Sequence, residues 1–293
     1  VLDLCQMFGI TGTPDLATQT KPLLLVLEVL KWLPEEYNRR DPGSSRRDRR
    51  TIKLQRADSQ ITMELIRVVL DQCDGVGGNY GGLEPTSSTD VRQKIKLASL
   101  MCLRSWTEHT TLDASWATTT DMMVWGVLAV LERQATLVSG AKALSADMYA
   151  MVLQILTDGF RNQHFFGSSD PKGPQGGPEE AALRKQAFWT VARIVVAMGQ
   201  YVVQRGNEYE DMEEVARSAC DALVTMLQWH LAPLFVAYRD TLHGTPEGDS
   251  ALSLVRELLQ LLVQFTGHAD LSGVAEPPLE LWYFLPELLD LQE

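Results

Sequence analysis

The sequence predicts an all-α protein, an α-solenoid in which antiparallel helix pairs stack side by side. Long segments repeat their apolar residues at helical spacing, loop-forming stretches separate these segments, and none shows the alternation typical of a β-strand. With 45% hydrophobic residues, a chain of 293 residues can bury a large core. Helices that alternate with loops in this way are typical of bundles and solenoids, and we expect one continuous solenoid segment over residues 1–293.

The best specified element is a helix expected over Asp90 to His109. Its apolar residues at 91, 95, 98, 102 and 106 share one face, which needs a neighbour. Asp90 and Gln93 have the spacing of a capping box, so Asp90 is expected to cap the helix. Earlier helices are predicted over 1–8, 21–33 and 57–71. The second of these is apolar on nearly every face, so we expect it to be covered on several sides and to end at Pro34.

The remaining helices follow from the same spacing. We expect Gly9 to end the first helix and Gly267 to end the helix over 249–266. Segments rich in Gly, Ser and Pro predict a linker over 75–89 and a flexible loop over 165–178; the glycines of the linker fit no phosphate-binding pattern. Further helices are predicted over 118–132, 145–160, 179–204, 209–231 and 249–266, and a last one contains Trp282 and Tyr283.

Residues 39–56 form a basic segment, with eight basic residues against two acids. A charge run of this kind usually belongs to a solvated loop, and we expect an inter-helix loop here. No aromatic residues are interleaved that could stack on bases, which disfavours RNA binding. The alternative is a contact with a protein partner, for which the candidate residues are Arg46, Arg47, Arg49 and Arg50.

The whole chain is acidic, with a net charge of -12. This charge argues against direct nucleic-acid binding, which uses clustered Lys and Arg, and favours a basic partner. A second candidate contact group lies at the start of the helix over 209–231, where the helix dipole favours negative charge and explains most of the acids. Its residues are Glu210, Asp211, Glu213 and Glu214.

The sequence carries no pattern typical of an enzyme, and we expect no catalytic activity, no metal and no cofactor. The five histidines are scattered, and the four cysteines stand far apart with no CxxC pair. We also expect no membrane span, because no run of eighteen uncharged apolar residues occurs. The chain opens on Val1 rather than Met, so we expect it to be a piece of a longer intracellular protein.

Three landmarks in the chain resemble one protein family. They are Leu33 to Glu36 with the sequence LPEE, Val91 to Trp106 with VRQK followed by Cys and then Arg-Ser-Trp, and Phe265 to Tyr283 with a Thr-Gly helix end before a Trp-Tyr pair. Together they resemble the importin-β superfamily, in the branch of transportin-three and importin-thirteen, and in the same order along the chain. The stretch over 136–249 departs most from the family pattern.

The resemblance implies HEAT repeats and a nuclear transport receptor. Such a receptor would carry protein cargo, basic or rich in Arg and Ser, through nuclear pores under the control of a Ran-type small GTPase. It would contact nuclear pore proteins and shuttle between nucleus and cytoplasm. The alternative is a non-enzymatic scaffold or adaptor in a large assembly, which the same solenoid would serve equally well.

Overall fold

A computed structural model describes residues 1–10, 16, 18–39, 49–74, 88–109, 146–161, 192–204, 212–241, 246–267 and 278–283. All regular secondary structure in these ranges is α-helical and none is strand, which confirms the all-α prediction. The helix expected over 118–132 and the loop expected over 165–178 lie outside the described residues. In chain order the helices are α1 Leu2–Met7, α2 Thr20–Arg39, α3 Arg49–Asp74, α4 Ser88–His109, α5 Ala146–Arg161, α6 192–204, α7 Met212–Thr241, α8 Pro246–Gly267 and α9 278–283.

The chain divides into two compact units, Val1–Val130 and Leu131–Glu293. In the first unit α4 packs against α2 and α3, and in the second α7 packs against α5 and α8. Each unit has its own apolar core. Fully buried core residues of the first unit include Leu23, Leu30, Ile66, Leu70, Ile95 and Trp106, and those of the second include Leu153, Val195, Leu223, Met226, Leu262 and Phe265. One continuous segment over 1–293 stays a prediction.

The first helix ends at a glycine, as the sequence predicts. Gly9 has a φ of 69°, a left-handed conformation that a residue without Cβ adopts at little cost. The N–H of Gly9 donates to the carbonyl of Gln6 at 3.0 Å, and the N–H of Ile10 donates to the carbonyl of Cys5 at 2.8 Å. These two bonds form a Schellman motif, and the buried side chains of Cys5 and Ile10 supply its apolar residues.

The prediction that Pro34 ends the second helix is wrong, because α2 continues to Arg39. A proline inside a helix removes one N–H donor and crowds the carbonyl four residues earlier, here that of Leu30. The helix passes through Pro34 because the indole N–H of Trp106 on α4 supplies the missing donor to the carbonyl of Leu30.

The basic segment over 39–56 is not a loop throughout. Arg39 is the last residue of α2 and α3 begins at Arg49, eight residues earlier than predicted, so the residues over 49–56 are helical. Arg, Lys, Gln and Leu are good helix formers, and extending a helix already fixed by its buried part costs little. The residues over 40–48 lie outside the described ranges.

Other helix ends also differ from the predictions. Helix α4 begins at Ser88, so the prediction that Asp90 caps it is wrong. Of the linker predicted over 75–89, the last two residues are helical, and 75–87 lie outside the described ranges. Helix α7 runs to Thr241, ten residues beyond the predicted end, and α8 begins at Pro246, a residue suited to a first turn. Hydrophobic periodicity locates the packed middle of a helix, whereas polar terminal residues carry no such signal.

Candidate interaction surface

The two predicted contact groups lie in different units of the chain. Arg49 and Arg50 are in the first turn of α3, in the first unit, and Arg46 and Arg47 lie outside the described residues. In the second unit, Glu213 and Glu214 are exposed in the first turn of α7; Glu210 and Asp211 lie outside the described residues. The structure therefore does not bring the basic and the acidic group together within one unit.

The acids at the start of α7 are accounted for by the helix itself. Glu213 accepts a bond from the Arg217 guanidinium at 3.2 Å, one turn along, and both side chains are exposed. An exposed ion pair of this spacing contributes about 0.3–0.5 kcal/mol, and the helix dipole favours acids here. A partner contact at Glu213 and Glu214 stays a prediction.

The second landmark forms hydrogen bonds to the turn of α2 that precedes the first landmark. The indole Nε1–H of Trp106 donates to the backbone carbonyl of Leu30 at 3.1 Å, and the Ser105 hydroxyl donates to the carbonyl of Lys31 at 2.6 Å. Leu30 is the residue whose carbonyl Pro34 leaves without its helical donor. Trp106 therefore replaces the N–H that the proline lacks. We call Leu30, Lys31, Pro34, Ser105 and Trp106 the α2–α4 joint.

The two parts of the third landmark are also joined by a tryptophan. The Trp282 indole on α9 donates to the Thr266 hydroxyl at 3.0 Å, and that hydroxyl donates to the carbonyl of Leu262 at 2.8 Å. The side chains of Thr266 and Trp282 are half-buried. This chain of two bonds, the α8–α9 joint, ties the last turn of α8 to the helix that follows. Trp106 and Trp282, one from the second and one from the third landmark, thus make structural contacts.

The exposed face of α2 is the clearest candidate surface in the first unit. Apolar positions on this helix predict cover on several sides, yet three large apolar residues one turn apart are open to solvent. Leu25 is 49% exposed, Val29 39% and Trp32 53%. Three charged residues lie on the same face. The full set of exposed side chains over 20–37, which we call the α2 stripe, is Lys21, Leu25, Glu28, Val29, Trp32 and Glu36.

The indole of Trp32 is held in a defined position on this stripe. Its Nε1–H donates to Glu28 Oε1 at 3.1 Å, and the Lys31 ammonium lies 5.3 Å from the ring centroid. The same ammonium is 2.8 Å from Glu28 Oε1. The hydrogen bond from Lys31, together with that from Trp32, holds the pKa of Glu28 below its ordinary value. A cation therefore sits between an indole face and a carboxylate.

The sequence contains a signal for the stripe that hydrophobic periodicity alone does not separate from core. Leu25, Val29 and Trp32 follow i, i+4, i+7 spacing, and so do the buried residues of the opposite face. The distinguishing feature is Glu28, which places a charge among the three apolar residues. Glu28 therefore indicates that this face of α2 is in contact with solvent, and Trp is a residue type enriched at protein interfaces.

The cysteines are poor candidates for chemistry. All four are buried, and burial raises the pKa of Cys220 to about 12 and the pKa of Cys5 and Cys102 above its usual value. The thiolate, which is the nucleophile and the metal ligand, is disfavoured at Cys5, Cys102 and Cys220. In the described part of the chain, no three His, Cys, Asp or Glu side chains cluster as metal ligands would.

Among the described helices, none combines the length and the hydropathy that a bilayer-spanning segment requires.

Comparison with known proteins adds no relative. No protein-family model, no curated protein and no solved structure matches the chain.

Proposed function

We propose that the chain is a segment of a nuclear transport receptor, an α-solenoid of HEAT-like repeats. It carries protein cargo, basic or rich in Arg and Ser, through nuclear pores under the control of a Ran-type small GTPase. Its partners are that GTPase, its cargo and nuclear pore proteins, and it shuttles between nucleus and cytoplasm. It has no catalytic activity and binds neither nucleic acid nor membrane directly.

The observation that carries this proposal is the hydrogen bond from Trp106 of the second landmark to the carbonyl of Leu30, one turn before Pro34 of the first landmark. Leu30 and Trp106 are separated by 76 residues, yet the Trp of Arg-Ser-Trp donates to the carbonyl that the Pro of Leu-Pro-Glu-Glu leaves open. Pro34 of the first landmark and Trp106 of the second therefore bear on the same backbone carbonyl, which supports treating the two matches as parts of one resemblance.

The third landmark supports the proposal in the same way. Its Thr-Gly helix end and its Trp-Tyr pair are joined by the bond from Trp282 to Thr266. An α-solenoid needs each helix to be fixed against its neighbour, because stability comes from contacts between adjacent elements. Tryptophan donors that tie packed helices together fit that need.

The charge of the chain supports a basic partner. Outside residues 39–56 the chain carries 36 acids against 18 basic residues. Such a field steers a basic protein towards the receptor and weakens in salt. Net charge favours a basic partner but does not identify it. The identities of the GTPase and the cargo therefore rest on the family resemblance.

The second candidate function is a scaffold or adaptor in a large assembly. The two joints support it equally well, because they stabilise helices and do no chemistry. A scaffold would hold its partner irrespective of a GTPase, whereas a receptor must release it. Response to nucleotide therefore separates the two functions.

The test is displacement of cargo. The full-length protein is mixed with a fluorescent Arg/Ser-rich protein and titrated with Ran loaded with GTP or, separately, with GDP, while anisotropy is followed. We expect the GTP form to change cargo binding at a far lower concentration than the GDP form. Identical curves for the two forms would favour the scaffold.

A further inference from the structure

The α2 stripe is a second apolar face on a helix whose first face is already buried. Leu25, Val29 and Trp32 occupy three successive turns and are 49%, 39% and 53% exposed. On the opposite face Leu23 and Leu30 are 0% exposed and belong to the core of the first unit. A row of large apolar side chains open to solvent is typical of a surface that another molecule covers.

The charges of the stripe favour neither an acidic nor a basic partner. Glu28 accepts hydrogen bonds from Lys31 and from Trp32, so its charge is already compensated within the helix. Of the two charged residues that remain on the stripe, Lys21 lies at one end and Glu36 at the other. A surface with one positive and one negative end is complementary to the same surface turned end for end.

The spacing of the stripe allows such a pairing. Its residues stand at positions 21, 25, 28, 29, 32 and 36, and each position has a counterpart at equal distance from the midpoint between 28 and 29. When two copies of α2 lie antiparallel about a two-fold axis at that midpoint, Leu25 of each copy is level with Trp32 of the other. Lys21 of each copy is then level with Glu36 of the other. In a parallel pair, by contrast, like charges would oppose each other at both ends.

We propose that the α2 stripe is an interface between two copies of this chain, which pair antiparallel about a two-fold axis. Leu25 of one copy packs against the Trp32 ring of the other, and Lys21 opposes Glu36 at each end. The indole of Trp32 is fixed in advance because its Nε1–H donates to Glu28, so little conformational freedom is lost on association. From Lys21 to Glu36 the paired length is about 22 Å, or about four turns of helix.

This interface goes beyond the proposed function and does not depend on it. Two copies of the chain pair in this way whether the chain is a transport receptor or a scaffold. Dimerisation is measured on the chain alone, without GTPase or cargo. A failure of nucleotide control in the cargo experiment would therefore leave the dimer untouched, and absence of a dimer would leave the cargo experiment untouched.

The apolar contact is tested by sedimentation velocity of the full chain. Two single helix faces form an interface at the small end of the usual range, so we expect a dimer Kd in the micromolar range, measurable between about 1 and 100 µM. Trp32→Ala should raise this Kd at least about tenfold, because each substitution removes two contacts from a two-fold dimer. Leu25→Ser should weaken the dimer from the other side of the same contact. Val263→Ala is the matched control, at a side chain 55% exposed on α8, and should leave the Kd within about twofold.

Charge variants test the antiparallel arrangement. Lys21→Glu and Glu36→Lys each place like charges opposite each other at both ends of the dimer, so each should raise the Kd about fivefold. Both substitutions suit the dipole of α2, which favours an acid near its start and a base near its end, so the helix itself should remain stable. An equimolar mixture of the two variants should restore the Kd to within about twofold, because each copy then carries the charges that the other copy opposes.

A chain that stays monomeric over the whole concentration range would overturn the proposal. A dimer that Trp32→Ala and Val263→Ala weaken equally would also overturn it, because that dimer would form through another surface. The same holds for a mixture of Lys21→Glu and Glu36→Lys that dimerises no better than either variant alone, since the two copies would then not lie antiparallel across the stripe.

Discussion

Trp106 supplies the carbonyl of Leu30 with the hydrogen-bond donor that Pro34 lacks, and the energetic coupling between positions 34 and 106 can be measured. Trp106→Phe leaves the buried carbonyl of Leu30 without its indole donor, so the free energy of unfolding should fall by about 1–3 kcal/mol. Loss of ring volume adds a packing cost. In a Pro34→Ala background the N–H of residue 34 can bond Leu30, so the polar part of the cost should disappear while the packing part remains.

The measurement is a double-mutant cycle by urea unfolding. We expect a coupling of about 1 kcal/mol between positions 34 and 106. Trp282→Phe provides a matched control, because that indole donates to a side-chain hydroxyl and has no relation to Pro34. If the effects of Pro34→Ala and Trp106→Phe on the free energy of unfolding were strictly additive, the indole of Trp106 would not be compensating for the N–H that Pro34 lacks.

Asp221 on α7 predicts a pH effect of definite sign. Burial raises its pKa above 3.8, although Arg161 and Arg217 partly counter this. A carboxyl group with a raised pKa in the folded state stabilises the protein when protonated, and that contribution is lost as pH rises through the folded pKa. Asp221→Asn should therefore raise Tm at pH 7, and the difference should shrink as pH falls towards 3.8. Thermal melts of both proteins across this range provide the check, and a lower Tm of the variant at pH 7 would contradict it.

Between elements, Gly199 allows α6 to approach α8 closely. A Cβ at this position would overlap the Cδ2 atom of Leu261 and lie 3.2 Å from its Cγ. Leu261 is 1% exposed, so its side chain has little room to move. Gly199→Ala should lower the free energy of unfolding by about 1–2 kcal/mol, even though alanine favours the helix by nearly 1 kcal/mol.

The control for this prediction is Gly267→Ala, because a Cβ at Gly267 meets nothing within 4 Å. Combining Gly199→Ala with Leu261→Ala should recover part of the loss, since the smaller side chain removes the overlap. If Gly199→Ala alone were stabilising in chemical denaturation, the close approach of the two helices would be refuted.

The sequence predicts the helices well where a long apolar face is involved, and poorly at their ends. Helix α5 agrees with its prediction within one residue at each end. Pro34 shows why α2 does not agree: the donor that lets the helix continue comes from Trp106, and local sequence cannot reveal a contact 76 residues away. The start of α3 was missed because its arginines carry no apolar periodicity.

The candidate surface was even less accessible to prediction. Leu25, Val29 and Trp32 have the spacing of core residues, and whether such a face is covered depends on which helices pack there. The buried face of α2 is the one with α4 against it, through Leu30 and Trp106. Glu28 among the apolar residues is a local signal, but one charge in a helix face does not identify a partner.

The whole chain carries an acidic excess outside residues 39–56, which favours a basic partner, and hydrogen bonds at the α2–α4 and α8–α9 joints fix its helices within each unit. We propose that the protein distinguishes the nucleotide state of a small GTPase. Attraction through charge alone would be the same for both states, because GTP and GDP change the shape of a GTPase far more than its net charge.

The most direct measurement is the affinity of the full-length protein for Ran loaded with GTP and for Ran loaded with GDP, by isothermal titration calorimetry at matched salt. A receptor should bind the GTP form at least a hundredfold more tightly, which corresponds to about 2.7 kcal/mol. It should retain that ratio when salt is raised and both affinities fall. Equal affinities for the two forms, or no binding of either, would contradict the receptor function and favour the scaffold.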